Sequence, residues 1–231
     1  MKKLISISYS ATGLAVMLLF LASCVDPIYD YGYDGELTGS ILDANGNIVS
    51  GDIKVATFAV HALGDLDQDP MVLRVKGDGT YANTKLYPQS YEVSLVGPFV
   101  ESPVPPVTVD LTGGQKVEKD FTVTPFLTIS EPSIAGNPSS NQITVNYAIT
   151  GNGGNTPNVR EIYVSTVSWP TRTTGSGPGY FTRLVEVDDD QGTATIDGLQ
   201  PNTRYFIRLG ARADGQSLFN HSTQISVTTT N

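Results

Sequence analysis

The sequence predicts an all-β protein built as two tandem β-sandwiches behind a short N-terminal leader, and three observations carry that reading. Short runs of alternating or β-branched residues recur from Leu37 to Thr229 at the spacing of sandwich strands. Turn dipeptides and Gly/Pro clusters separate them, Asn45-Gly46 being the strongest hairpin signal. No segment of the body holds an apolar period near 3.6 over three turns. A chain of 231 residues has room for one large or two small domains after its leader.

The leader comes first. Lys2 and Lys3 precede the apolar run from Leu14 to Ala22, and Leu21-Ala22-Ser23-Cys24 closes it with small residues, the three-part layout of a secretory signal. The run is too short to cross a bilayer, which takes about 20 apolar residues. Leu21-Ala22-Ser23-Cys24 resembles the lipobox of bacterial lipoproteins. That resemblance implies removal of residues 1–23 and a diacylglyceryl group on the thiol of Cys24, so that the mature chain starts at a lipidated cysteine and partners the bilayer through it. Acyl chains contribute about 0.8 kcal/mol per buried methylene, and two or more hold firmly. Residues 24–36, with Pro27, Gly32, Gly35 and Tyr29, Tyr31 and Tyr33, have no helical or alternating period and read as a spacer. Asp26, Asp30, Asp34 and Glu36 fit only loosely the acidic run that marks export to the outer face in some Gram-negative bacteria.

Composition narrows the function classes. Lys and Arg number 14 against 23 Asp and Glu, a formal net charge of −9 that becomes −11 when the leader takes its two lysines away. An acidic body without Lys/Arg clusters argues against nucleic acid and against lying flat on anionic lipid. Cys24 is the single cysteine, so the mature body has none for a disulfide or a thiolate metal site and must hold together by burial.

The first module is read over residues 37–125. Leu37–Leu42, Ile53–Phe58, Met71–Val75, Tyr91–Val96 and Lys116–Val123 are its expected strands. Gly39 with Asp43 and Gly46, then Gly79-Thr80-Tyr81, then Leu86-Tyr87-Pro88-Gln89-Ser90-Tyr91 follow in an order that resembles the carboxypeptidase regulatory-like, or transthyretin-like, sandwich. Gln89-Ser90 departs from that family, which prefers Gly there.

The second module is read over residues 126–231. Expected strands are 126–130, 142–149, 161–167, 181–187, 193–196, 205–211 and 223–229, a count that fits an immunoglobulin-like sandwich. Leu199-Gln200-Pro201-Asn202-Thr203-Arg204-Tyr205 resembles the corner motif of fibronectin type III domains, with Tyr205 buried and its hydroxyl bonded to the chain just upstream. Tyr147 stands where those domains usually carry Trp. The short, Pro-containing linker at Thr124-Pro125 predicts a stiff two-module rod.

Few residues offer chemistry. Asp65, Asp67 and Asp69 alternate as in calcium loops, yet Pro70 and Lys76 stand where an EF-hand needs Gly and Glu. A solvated acidic hairpin is the reading these residues favour, with calcium the alternative and no other cofactor expected. Asp188-Asp189-Asp190 is a weaker case of the same kind. His61 and His221 are the only histidines, neither near another good ligand, and no Gly-x-Ser-x-Gly elbow is present, so no catalytic residue and no enzyme activity is expected. The long connection from Trp169 to Phe181 is the best binding candidate. Trp169, Arg172, Tyr180 and Phe181 could form a stacking platform with a hydrogen-bonding edge for a sugar ring; alternatively Trp169 caps the core and the Gly/Pro residues only turn the loop. Phe99 among Pro98, Pro103, Pro105 and Pro106, and Phe219 with His221, are lesser candidates.

Taken in order, lipobox, aromatic-acidic tether, regulatory-like module and fibronectin-like module resemble the uncharacterised two-domain lipoproteins encoded beside outer-membrane glycan-uptake pairs of the SusC/SusD kind. The resemblance implies an outer-membrane lipoprotein at the cell surface, with a glycan as ligand and SusC/SusD-like proteins as partners. A spacer that docks on a transporter complex is the alternative role.

Overall fold

The computed structural model describes residues 32–231 apart from Ile53, Val55 and Tyr180. Tyr33–Asn231 form one compact unit; of the other, Met1–Gly32, only Gly32 is described, so Cys24 and the signal segment lie outside the described residues. The described residues contain strands and no helix, hence none long and apolar enough to cross a membrane.

The first half holds β1 (Gly35–Leu42), β2 (Ala59–Gly64), β3 (Met71–Arg74), β4 (Thr80–Leu86), β5 (Ser90–Val96), β6 (Val104–Asp110), β7 (Lys116–Glu118) and β8 (Phe121–Thr122). One sheet runs β4-β1-β7, with β8 also pairing β1; the other runs β3-β2-β5-β6. Strict alternation in β1 turns Leu37 and Ile41 into a core shared with Val60, Leu73, Tyr81, Tyr91, Val93 and Leu95 from both sheets. Each such side chain contributes about 1.5–3 kcal/mol on burial. β6, with Pro105 and Pro106, lies at a sheet edge, where a missing N–H costs no ladder bond.

Two expected strands differ here. Residues 54 and 56–58 turn instead of extending, because Asp52 Oδ1 accepts the Lys54 N–H at 3.0 Å; β2 starts only at Ala59. This puts His61 inside β2. The expected strand 116–123 is divided into β7 and β8 at Lys119-Asp120, where Asp120 Oδ1 takes the Ser40 N–H at 2.7 Å and the Tyr81 hydroxyl donates to the Lys119 carbonyl. Alternation alone gives no sign of such a break. The Gln89 departure also finds a purpose: its amide accepts the Leu66 N–H at 3.2 Å and donates to Asp67 Oδ2 at 3.1 Å, anchoring the β2–β3 loop.

The second half holds β9 (Leu127–Ile129), β10 (Ser133–Ile134), β11 (Ile143–Gly151), β12 (Pro157–Ser165), β13 (Thr182–Glu186), β14 (Gln191–Ile196), β15 (Arg204–Ala213) and β16 (Phe219–Thr228). Its sheets are β10-β11-β14, with β9 also on β11, and β13-β12-β15-β16. Their inner faces meet in a second core that includes Val145, Tyr147, Ile162, Ile196, Tyr205 and Ile207. The protein is thus all-β, a pair of sandwiches. Tyr205 is fully buried and its hydroxyl accepts the Gln200 N–H at 2.9 Å, pinning the crossover as the motif implies. Tyr205→Phe is expected to cost about 1 kcal/mol in equilibrium unfolding, since water can reach the freed loop N–H.

More than the linker joins the halves. Asn220, 2% exposed, donates to the Pro98 carbonyl at 2.8 Å and accepts the Leu127 N–H at 3.0 Å. Backbone bonds Val100 N–H to Thr124 O and Phe126 N–H to Pro98 O continue the contact.

Candidate functional site

Alternation in β15 sends Tyr205, Ile207, Leu209 and Ala211 into the second core, which leaves Arg204, Phe206, Arg208, Gly210 and Arg212 on the outer face of the sheet. In an isolated sandwich that face would meet water. Here its centre is covered by loops of the first half and by the β12–β13 connection. Glu161, Tyr163 and Arg208 accordingly have 0%, 1% and 0% exposure. The register places Tyr163 beside Arg208, and Glu161, Gly210 and His221 in the next row. Gly210 is required because the Tyr163 ring lies directly over it.

Each buried charge has a stated partner set. Arg208 donates from Nε to the Ser222 carbonyl at 2.8 Å, and from Nη2 to Ser50 Oγ at 2.6 Å and the Gly51 carbonyl at 2.7 Å. Its Nη1 has no hydrogen-bond partner among the described residues. Burial pushes its pKa down to about 10, opposed by the Asp52 and Tyr163 charges, so it stays a cation at neutral pH. Glu161 accepts the Tyr163 hydroxyl on Oε2 at 2.8 Å, and its Oε1 forms an ion pair with Arg172 Nη1 at 2.7 Å. Burial first, then the Glu161 carboxylate, pushes the Tyr163 phenol far above its usual value.

His221 bridges to Ser50 across the junction and stacks on Phe219. Loss of water around its ring, then the Arg208 charge, holds its pKa well below 6.5. The sign follows from linkage. Above pH 6.5 the ring is neutral folded or unfolded; as pH falls from there through the depressed value, the unfolded chain takes the proton first and stability is lost. His221→Gln should flatten that acid slope in thermal melts collected downward from about pH 7.5. A slope unchanged by the substitution would assign the acid loss to other groups.

The sequence candidates fall into this frame unevenly. Trp169 sits partly buried with a left-handed φ of 54°, a strained conformation for a bulky residue. Its indole lies on Gly77 of the first half, 5.6 Å from the Arg208 guanidinium, and the Trp169 backbone N–H donates to the Gln224 side-chain carbonyl. Arg172 is engaged by Glu161 and lies 5.7 Å from the Phe219 ring. Phe181 packs edge-on against Tyr205 and belongs to the second core. Tyr180 lies outside the described residues. The structure therefore brings Trp169 and Arg172 to the junction, unites Arg172 with the lesser candidates Phe219 and His221, and places Phe181 elsewhere. Phe99 is buried at 1% in the first core. Asp67 is held by Gln89, and no three metal-ligating side chains lie together among the described residues.

Of the concavities between the halves, two border the Arg208, Trp169 and Arg172 cluster. One, of about 300 Å³, is lined by Trp169, Arg208, Lys54, Lys76, Asp52 and Asp78. The other, of about 140 Å³, is lined by Asp52, Phe58, Arg172, Thr173, Phe219 and His221. The long connection that frames both is laced by hydroxyls: Thr171 N–H to Thr174 Oγ1 at 3.0 Å, Phe181 N–H to Thr166 Oγ1 at 2.9 Å, and Lys54 Nζ to Thr174 Oγ1 at 2.9 Å. Sequence reading missed Arg208, Glu161, Asp52 and Ser50. The one available signal was the row Arg204-Phe206-Arg208-Gly210-Arg212, too rich in large groups and Gly for an ordinary wet face.

No protein-family model matches the chain, and no curated protein matches it. Solved structures do. A candidate carbohydrate-binding protein from Bacteroides uniformis superposes with a TM-score of 0.64 at 20% identity, over 85% of this chain and 100% of that one. A DUF3823 family protein from Parabacteroides merdae gives 0.67 at 17% identity, over 84% and 98%. Another from Bacteroides ovatus gives 0.63 at 20%, over 84% and 98%. At these identities the likeness establishes a shared fold.

Proposed function

We propose that the protein is a non-enzymatic accessory that binds carbohydrate at the junction of its two sandwiches, held at the outer membrane by acyl chains on Cys24. The observation that carries the binding reading is Trp169, partly exposed in a groove whose other walls include Asp52, Lys54, Lys76 and Asp78 of the first half and Arg208 of the second. A flat apolar surface beside a few convergent polar groups is the general design of a small-molecule site, and it matches the apolar face and hydroxyl edge of a pyranose. The backbone strain at Trp169 fits a residue placed for binding. The fold shared with a candidate carbohydrate-binding protein adds support. In this reading Arg172 and Phe181 position the loop rather than stack on the sugar, and Tyr180 is the remaining aromatic candidate beside Trp169.

Affinity electrophoresis against a glycan panel tests the reading. Binding by the wild type, weakened about 10-fold or more in Trp169→Ala with the fold retained by circular dichroism, is the expected outcome. Retention of no glycan by the wild type defeats the function, and undiminished binding by the variant defeats the site. Fractionation of Cys24→Ser tests the anchor, which predicts release from the envelope.

A second reading, docking on an outer-membrane transporter complex, draws on the β2–β3 hairpin. Leu66 is 77% exposed there, near Leu63, Met71 and Val72, all apolar and open. Recovery from mild detergent with a stoichiometric partner, lost in Leu66→Asp, would favour it.

A further inference from the structure

We propose that the Trp169 groove selects an acidic saccharide, one carrying a carboxylate or sulfate group, through Lys54, Lys76 and the charge of the Arg208 guanidinium behind its wall. The inference rests on the carbohydrate reading above and names its ligand class.

Charge accounting carries it. The formal net charge of the chain is −9, yet this groove is lined by three cations and two carboxylates. The ion pairs among the described residues join Lys116 to Glu36, Arg160 to Asp190 and Arg172 to Glu161; none uses Lys54, Lys76 or Arg208. Lys54 Nζ meets only the neutral Thr174 hydroxyl. The two carboxylates are occupied locally: Asp52 Oδ1 accepts the Lys54 N–H, and Asp78 Oδ1 accepts the N–H and hydroxyl of Thr80 at 3.0 and 2.7 Å. Asp52 acts on Arg208 and Lys76 on Asp78 through space, so three cations against two carboxylates leave the groove one positive charge to spare.

Arg208 is the second, independent pointer. It is fully buried, every one of its bonds goes to a neutral oxygen, and Nη1 has no partner. A buried cation whose hydrogen bonds all go to neutral oxygens keeps its field, and an anion in the groove that it lines would be drawn by it. Although burial lowers its pKa to about 10, the guanidinium is still protonated at neutral pH. Low-dielectric walls such as the Trp169 indole strengthen attraction to an anion that enters. A neutral sugar could stack on Trp169 but would leave the surplus positive charge uncompensated.

The test is titration of the full chain, purified in detergent, with four oligosaccharides of equal length: a hexuronate, its methyl ester, a sulfated form and a neutral form. The hexuronate or the sulfated ligand is expected to bind about 10-fold tighter than the ester and the neutral sugar, and to weaken as salt rises. Which of the two wins identifies the anionic group. Lys54→Gln combined with Lys76→Gln should erase that preference with the fold retained by circular dichroism, glutamine keeping a donor for the Thr174 hydroxyl and Arg208 being left in place. Affinities of both the hexuronate and the sulfated ligand no higher than those of the ester and the neutral sugar, or a preference untouched in the double variant, overturn the acidic assignment while leaving carbohydrate binding intact. Failure of all four ligands overturns both.

Discussion

Arg208→Leu is expected to lower stability by about 3–5 kcal/mol and to uncouple the two halves of the molecule. The wild-type guanidinium satisfies Ser50 Oγ and the Gly51 carbonyl on one side and the Ser222 carbonyl on the other. Charged hydrogen bonds of this kind contribute about 1.5–3 kcal/mol each, and leucine would strand their acceptors without water. Trp169 is the single tryptophan and reports from the junction itself. In wild type, its fluorescence and far-ultraviolet circular dichroism should change together in urea, one cooperative transition. In the variant, fluorescence should change at lower urea than dichroism. Coincident curves with an unmoved midpoint would show that this contact does not couple the sandwiches.

Gly39→Ala should be nearly as damaging, at about 3 kcal/mol, which for a domain of this size lowers the melting temperature by about 10 °C. Gly39 occupies an inward position of β1 between Leu37 and Ile41, where alternation calls for a side chain. A methyl group there would run into the backbone carbonyl of Lys119 and press on the Tyr81 ring. Backbone cannot swing aside as a flexible side chain can. The Lys119 carbonyl is also the acceptor of the Tyr81 hydroxyl, at the point where β7 gives way to β8. Calorimetry on Gly39→Ala beside Gly46→Ala separates crowding from conformational strain. Gly46 has a left-handed φ of 81° but open space around it, so its substitution carries the conformational cost alone. A Gly39 variant that melts no lower than the Gly46 variant would refute the crowding argument.

Much of the fold is legible in the sequence because sandwich strands advertise themselves by local alternation. Leu37–Leu42 and the strands around Val145, Ile162 and Ile207 all lie where their pattern places them. Errors arise where a side chain competes with the ladder, as Asp52 turns residues 54 and 56–58 and Asp120 interrupts the pairing of β1, and where a polar or proline-bearing run hides a strand, as in β4 and β6. The candidate site was legible only in part. Trp169 and Arg172 stand out as large groups in a long Gly/Pro loop, and the structure brings both to the junction. Arg208 and Glu161 do not stand out, because a charge on the polar side of an alternating strand looks solvated until a neighbouring module covers it. That covering depends on contacts between residues more than 150 positions apart, as from Arg208 to Gly51, which no local pattern encodes.

The buried outer face of β12 and β15 has a consequence for anyone who would treat the halves as interchangeable cassettes. Severed near Pro125 or grafted onto a foreign neighbour, the C-terminal half would present a carboxylate, a phenol and a guanidinium shaped for a lid that is gone. Fragments and chimaeras should therefore stick, swell or misassemble unless the loops bearing Ser50, Gly77 and Pro98 travel with them.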